Sequence, residues 1–203
     1  MVRKIENDRS YRYKNLNIEI EPEVFHPKYF DSSQMLLEWV ESNYISGKTI
    51  LEVGSGSGII SLRAAQKGAN VWAVDINPKA VALLKRNSET NSIQLKALES
   101  DLFSKVDDTQ FDFILINPPF YPKNPTSDAE KAWFCGSNFE YFEKLFTQLK
   151  DRNITSGIYM TLSDDCDLER IQSIAKEHNY SFELQRTKKS FFEKNFIFEV
   201  LSL

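Results

Sequence analysis

The order of apolar patterns along this 203-residue chain constrains its fold more than any single residue does. "KTILEV", "NVWAVD", "SIQLKAL", "FDFILI" and "SGIYMTL" are runs of strand length. Stretches of helical period separate them. "GIISLRAAQK" is ended by Gly68, and "NPKAVALLKRNSETN" has Asn77 as N-cap with Pro78 in its first turn. Further helices are predicted over residues 138–150 and 165–177, and "YSFELQRT" and "NFIFEVLSL" close the chain as a hairpin. Strand and helix alternating in this way make a parallel sheet covered on both sides. The expectation is an α/β fold: a Rossmann-like open twisted sheet, mostly parallel, with a C-terminal antiparallel hairpin and helices on both faces.

Upstream, "DSSQMLLEWVESNY" reads as a helix with Asp31 as N-cap, Gln34 three residues on, and Met35, Leu36, Trp39 and Val40 on one face. "NLNIEIEPEVF" alternates at its start and reads as extended chain broken at Pro22. No internal repeat or low-complexity segment interrupts this order.

In open parallel sheets a ligand binds beyond the carboxyl ends of the strands, so four strand ends carry the functional information. The first runs into "EVGSGSG", where Gly54, Gly56 and Gly58 permit a tight turn and close approach of a ligand to the backbone. A nicotinamide fingerprint would need glycine at 59, where Ile59 stands, and no Gly-Lys-Ser/Thr follows as in a P-loop. The second ends in "VDINP". Asp75 lies about twenty residues past the first glycine, the spacing at which a carboxylate accepts from ribose hydroxyls, and Ile76 offers an apolar face for a base. The third ends in "SDLF", where Asp101 can accept from an adenine amine and the Leu102 N–H can reach a ring nitrogen.

The fourth strand, "FDFILI", breaks off into "NPPF". Asn117 carries an amide oxygen. Pro118 has a free carbonyl, which Pro119 helps to fix because a residue before proline is restricted. Phe120 adds a flat apolar surface. Two acceptors beside a stacking face suit a planar group that bears N–H donors.

Composition narrows the classes. The net charge of −4 argues against a protein that coats nucleic acid by basicity alone. Basic residues do gather locally, as Arg3, Lys4, Arg9, Arg12 and Lys14 near the start and Arg186, Lys188 and Lys189 near the end. These clusters are either solvated faces or the rim of a site for an anionic substrate. No apolar run reaches membrane-spanning length, and the first residues lack the apolar stretch of a secretory signal. Cys135 and Cys166 have no metal-type spacing and read as free thiols of a cytoplasmic protein; with only His26 and His178 available, no metal site is expected.

Together, "EVGSGSG", "VDINP", "SDLF" and "INPPF", in this order and spacing, resemble the class I S-adenosylmethionine-dependent methyltransferases, and within them the small methyltransferase domain of the NPPF type that methylates amino nitrogens. The likeness covers residues from about 24 to 162. It implies S-adenosylmethionine as cofactor, with Glu52 and the Gly54, Gly56 and Gly58 turn around its methionine part, Asp75 and Ile76 at its ribose and base, and Asp101 and Leu102 at its adenine. Asn117, Pro118, Pro119 and Phe120 would receive the target amine, with Asn117 also facing the cofactor. In "HPKYFDSSQMLL", Ser33, preceded by Asp31 and Ser32, takes the place of a family threonine that contacts the cofactor. "AWFCG" shares Trp133 and Gly136 with the glutamine methyltransferases of this branch.

The resemblance divides the chain into an N-terminal segment, 1–30, on the substrate side, and a methyltransferase domain, 31–203. The implied partner is macromolecular. An RNA base with an exocyclic amine is the first expectation and a protein glutamine the second. A non-catalytic cofactor-binding scaffold, or an aminopropyl transferase, is the competing reading; retention of both the glycines and Asn117 speaks against the former, and "NPPF" against the latter.

Overall fold

A computed structural model describes residues 9–22, 24, 26–190 and 193–203. Of the N-terminal basic cluster, Arg3 and Lys4 lie outside the described residues. The chain opens with an antiparallel hairpin, β1 (Ser10–Tyr13) and β2 (Leu16–Glu19), followed by a 3-10 turn at Pro27–Tyr29 and helix α1 (Asp31–Ser42). Then come β3 (Thr49–Val53), α2 (Ile59–Gln66), β4 (Asn70–Asp75), α3 (Pro78–Thr90), β5 (Lys96–Glu99) and β6 (Phe113–Ile116). After a second 3-10 turn at Glu130–Ala132 the chain forms α4 (Glu140–Asp151), β7 (Gly157–Ser163), α5 (Leu168–Glu177), β8 (Tyr180–Lys189) and β9 (Lys194–Ser202).

Seven strands form one sheet in the order β5-β4-β3-β6-β7-β9-β8. The first five are parallel, and β9 runs antiparallel to both β7 and β8. The order reverses between β3 and β6, so the crevice for a ligand opens beyond Val53 and Ile116. One sheet face packs Ile114, Ile116 and Met160 against Phe142, Leu145 and Phe146 of α4 and Ile171 and Ile174 of α5. The other packs Ile50, Val71, Leu115 and Ile197 against Met35 and Leu36 of α1 and Ile60 and Leu62 of α2.

The opening hairpin joins the second core. Leu16 and Ile18 alternate with exposed Asn17 and Glu19, so one face of β2 is buried. Asn87 of α3, fully buried, accepts from Glu19 N and donates to the carbonyls of Glu19 and Ser57, which ties the hairpin to the turn after β3.

Two local expectations differ. Phe30, not Asp31, is the N-cap of α1, and it makes no side-chain cap hydrogen bond. Asp31 instead forms an ion pair with Lys188 at 3.1 Å; a distant cation holds its carboxylate, although an acid in the first turn still favours the helix dipole. The helix expected from 165 begins at Leu168, because Asp167 caps it by accepting from Arg170 N. No helix among the described residues is long and apolar enough to cross a membrane.

Candidate active site

The glycine-rich turn is built by β3 ending one strand away from β4. Gly54 N and Ser55 N both donate to Val74 O, at 2.9 and 3.0 Å, so the chain must reverse at once, and Gly54 adopts φ +77°. A side chain at Gly54 would point at the Asn117 carbonyl, 3.9 Å away, across the crevice. Gly58 has a different task. At φ +83°, a Cβ there would lie 2.0 Å from Leu84 Cδ1, so this glycine lets α2 start against α3. It shapes the turn and is absent from the cavity wall, unlike the ligand contact expected for it from the sequence.

Two carboxylates hold the turn from beneath. Asp75 Oδ2 accepts from Gly56 N at 2.9 Å and Oδ1 accepts from Asn77 N at 2.8 Å, while Asn77 caps α3 through Lys79 N. Burial pushes the Asp75 carboxyl above its usual range against these donors. Glu52 is buried and accepts from the backbone N–H of Ser61 at 2.9 Å and from the Ser61 hydroxyl. Its carboxyl is pushed up to about 8, chiefly by burial, with the nearby Asp75 charge adding to the rise.

Beyond β5, Leu102 is buried in a left-handed conformation, φ +53°, an unusual state for a branched residue and one found preferentially at functional sites. Ser100 Oγ donates to the Leu102 carbonyl. Asp101 forms an ion pair with Lys144 of α4.

At the end of β6, Asn117 is clamped from both sides. Its Oδ1 accepts from the Thr161 hydroxyl of β7 at 2.8 Å, and its Nδ2 donates to Ser33 Oγ of α1 at 3.4 Å. Ser33 thus meets the amide of the NPPF segment. Pro118 is buried, and the Phe120 ring lies 4.8 Å from that of Tyr121. The segment after Phe120 folds back on itself: Tyr121 N donates to Trp133 O and Cys135 N donates to Tyr121 O. Trp133 then meets the ring of Phe30 edge-on at 5.0 Å. Cys135 and Cys166 are buried free thiols, raised to about 11 by burial.

All these strand ends border one cavity of about 950 Å³, in the size range of small-molecule sites. Ser33, Glu52, Gly54, Gly56, Asp75, Ile76, Asp101, Leu102, Asn117, Pro118, Pro119 and Phe120 line it. So do groups that no motif pointed to, among them Phe30, Tyr141, Glu193 and Asn195. Asn195 of β9 had no signal, because a strand's sequence does not say which strand it will pair with.

The charged lining is lopsided. It comprises Asp31, Asp75, Asp101, Asp128, Glu140 and Glu193 against Lys131 and Lys144, while Glu52, its carboxyl pushed up to about 8, adds little charge at neutral pH. Both lysines are engaged, with Asp128 and Asp101 respectively. The C-terminal basic cluster is engaged as well, Arg186 with Glu38 and Lys188 with Asp31 and Glu38. Among the described residues no group of three or more His, Cys, Asp or Glu side chains is placed to hold a metal ion.

A family model for the methyltransferase small domain matches residues 15–137. The chain belongs to this methyltransferase family. Among curated relatives, a candidate protein N5-glutamine methyltransferase of Methanocaldococcus jannaschii is 41% identical over 119 residues, 58% of this chain and 56% of that protein. The ribosomal RNA small subunit methyltransferase C of Chromohalobacter salexigens is 37% identical over 109 residues, 52% of this chain and 32% of its own length. The chain thus spans about half, or less, of the curated relatives it matches. The solved E. cuniculi complex for methylation of the eRF1 translation termination factor superposes with a TM-score of 0.67 at 16% identity, covering 89% of this chain and 99% of that one. The T. thermophilus 16S rRNA guanine methyltransferase, solved with AdoMet and guanosine, gives 0.65 at 22% identity over 94% of this chain and 49% of that one. These structures share the fold.

S-adenosylmethionine is the cofactor of this methyltransferase family, and the cavity suits it chemically. Ser55 lines the cavity, and its buried Oγ has no partner among the described residues, so a polar ligand atom would satisfy it. The apolar lining from Ile76 and Leu102 suits a purine.

Proposed function

We propose that this methyltransferase transfers a methyl group from S-adenosylmethionine to the side-chain amide nitrogen of a protein glutamine. Glu52, Ser55 and the Gly54–Gly56 backbone would hold the methionine part, Asp75 the ribose, and Asp101, Leu102 and Ile76 the adenine. When bound, the cofactor supplies an electrophilic methyl on a sulfonium.

The residues at Asn117 do the rest. An amide nitrogen shares its lone pair with its carbonyl and is a poor nucleophile. Asn117 Oδ1 and the Pro118 carbonyl accept the two N–H bonds of the target and favour a nitrogen whose lone pair is free. Positive charge growing on that nitrogen strengthens both hydrogen bonds, so they stabilise the transition state more than the ground state; the electron pair of the broken carbon–sulfur bond would stay on sulfur, and the nitrogen would release its surplus proton to water. Thr161 and Ser33 keep the Asn117 amide from turning. Phe30, Phe120 and Trp133 provide flat apolar walls for the target's stem or plane.

The acidic lining carries the choice of glutamine over an RNA base. Both lining lysines and two residues of the C-terminal basic cluster are already paired with carboxylates. A polyanion would meet Glu193 and Glu140, which have no ion-pair partner among the described residues, with little to replace its counterions, whereas a neutral glutamine on a protein surface bears no such cost.

The test is incubation with methyl-labelled cofactor and cell extract, followed by protease or nuclease. Label released by protease and recovered as N5-methylglutamine supports the proposal. Label released only by nuclease overturns the glutamine target in favour of RNA, and no transfer to either overturns the enzyme reading in favour of a scaffold.

A further inference from the structure

Asn195 has no part in the chemistry above, yet it stands in the same cavity. It is buried to 2% exposure on β9, lines the cavity, and its Nδ2 has no hydrogen-bond partner among the described residues. A buried donor without a partner is costly, so a fold that keeps one beside a ligand cavity has a reason to supply the acceptor from outside.

The sheet fixes where that donor lies. Asn195 is the register partner of Ser163, two residues beyond Thr161 on β7. Side chains two apart share a face, so Thr161, Ser163 and Asn195 belong to one face, and Thr161 is the residue that holds Asn117 Oδ1. By strand spacing and rise per residue, the Cα atoms of Asn117 and Asn195 are roughly 12 Å apart. Less the reach of both side chains, this leaves room for one small planar group with a hydrogen bond at each end.

We propose that Asn195 is a specificity-determining residue that donates from Nδ2 to the carbonyl oxygen of the target amide; this rests on the glutamine reading above. A primary amide is nearly symmetric in shape, and only hydrogen-bond polarity tells its nitrogen from its oxygen. Acceptors at Asn117 and Pro118 select the nitrogen end. A donor at the opposite end selects the oxygen and opposes the flipped pose, which would present oxygen to the methyl group. Asn117 cannot serve both ends, because Thr161 and Ser33 fix its orientation. The same polarity disfavours glutamate, whose second oxygen would face the two acceptors, and lysine, which has no oxygen for Asn195.

The experiment uses the full chain saturated with S-adenosylhomocysteine and measures binding of N-acetylglutamine amide, N-acetylglutamate, adenosine and guanosine by ligand-observed NMR. Wild type, Asn195→Asp and Asn195→Ala are compared, with S-adenosylhomocysteine affinity as the check on folding. The expected result is binding of the glutamine amide to wild type, a loss of about tenfold or more in Asn195→Asp, where a donor becomes an acceptor, and unchanged S-adenosylhomocysteine affinity. Equal glutamine-amide affinity in wild type and Asn195→Asp overturns the role of Asn195 and leaves the glutamine target standing. Binding of a nucleoside but not of the glutamine amide by wild type overturns the glutamine target itself.

Discussion

At the scale of single residues, the site depends on how firmly one amide is held. Asn117 has a donor partner in Thr161 and an acceptor partner in Ser33, so its oxygen and nitrogen are not interchangeable. Asn117→Ala is expected to lower kcat by roughly a hundredfold or more, the scale of losing one preorganised polar group, with cofactor affinity near wild type by calorimetry. Thr161→Val keeps the shape and removes the hydroxyl. It is expected to lower kcat with little change in cofactor binding, and Thr161→Ser is expected to restore it; failure of serine to rescue would mean that packing, not the hydrogen bond, was lost. Asp75 lines the same cavity. Asp75→Ala removes the acceptor of Gly56 N and Asn77 N together with the proposed ribose contact. Its first effect is a raised cofactor dissociation constant, measured by calorimetry.

At the scale of elements, the joint between β3 and α2 combines strained backbone with a buried acid. Gly58 sits in the left-handed region against Leu84 of α3. Gly58→Ala adds both conformational strain and a clash, and should destabilise the fold by about 1–3 kcal/mol, read from a denaturant midpoint.

Glu52 gives the same joint a pH response. Its folded carboxyl titrates near 8 because it is buried, against a usual value of 4.5. Between those values the folded chain holds a proton that the unfolded chain has released, so this group makes stability fall as pH rises through that window and level off above it. Glu52→Gln, which cannot ionise, should flatten the decline in a series of thermal melts from pH 5 to 9. A decline of equal slope in the variant would assign it to other groups.

At the scale of the whole molecule, charge distribution decides more than net charge. The net charge of −4 is modest, but the cavity collects carboxylates while its lysines are paired. For a protein target the Michaelis constant should change little between 50 and 200 mM salt. A polyanionic RNA bound through several phosphates would lose affinity by orders of magnitude over that range. A steady-state salt series on the labelled substrate fraction separates the two. Strand order matters on the same scale: the reversal between β3 and β6 brings Gly54 opposite the Asn117 carbonyl, joining the proposed cofactor half of the cavity to the proposed target half.

The order of residues alone settled the parallel α/β architecture, because alternating strand and helix periods admit few other arrangements. It also determined the four strand-end motifs, since the glycines, Asp75 and the NPPF segment announce local conformations that need no partner. Who meets whom is settled in three dimensions. The folded chain sets Gly58 against Leu84, moves Asp31 from a helix cap to Lys188, pairs much of the C-terminal basic cluster, and brings Thr161 to Asn117 and Asn195 to the cavity. Each of these is a contact between residues far apart in the chain. Hydrophobic periodicity tells which face of an element is buried, whereas the neighbour on that face is set by strand order and register, which no local pattern encodes.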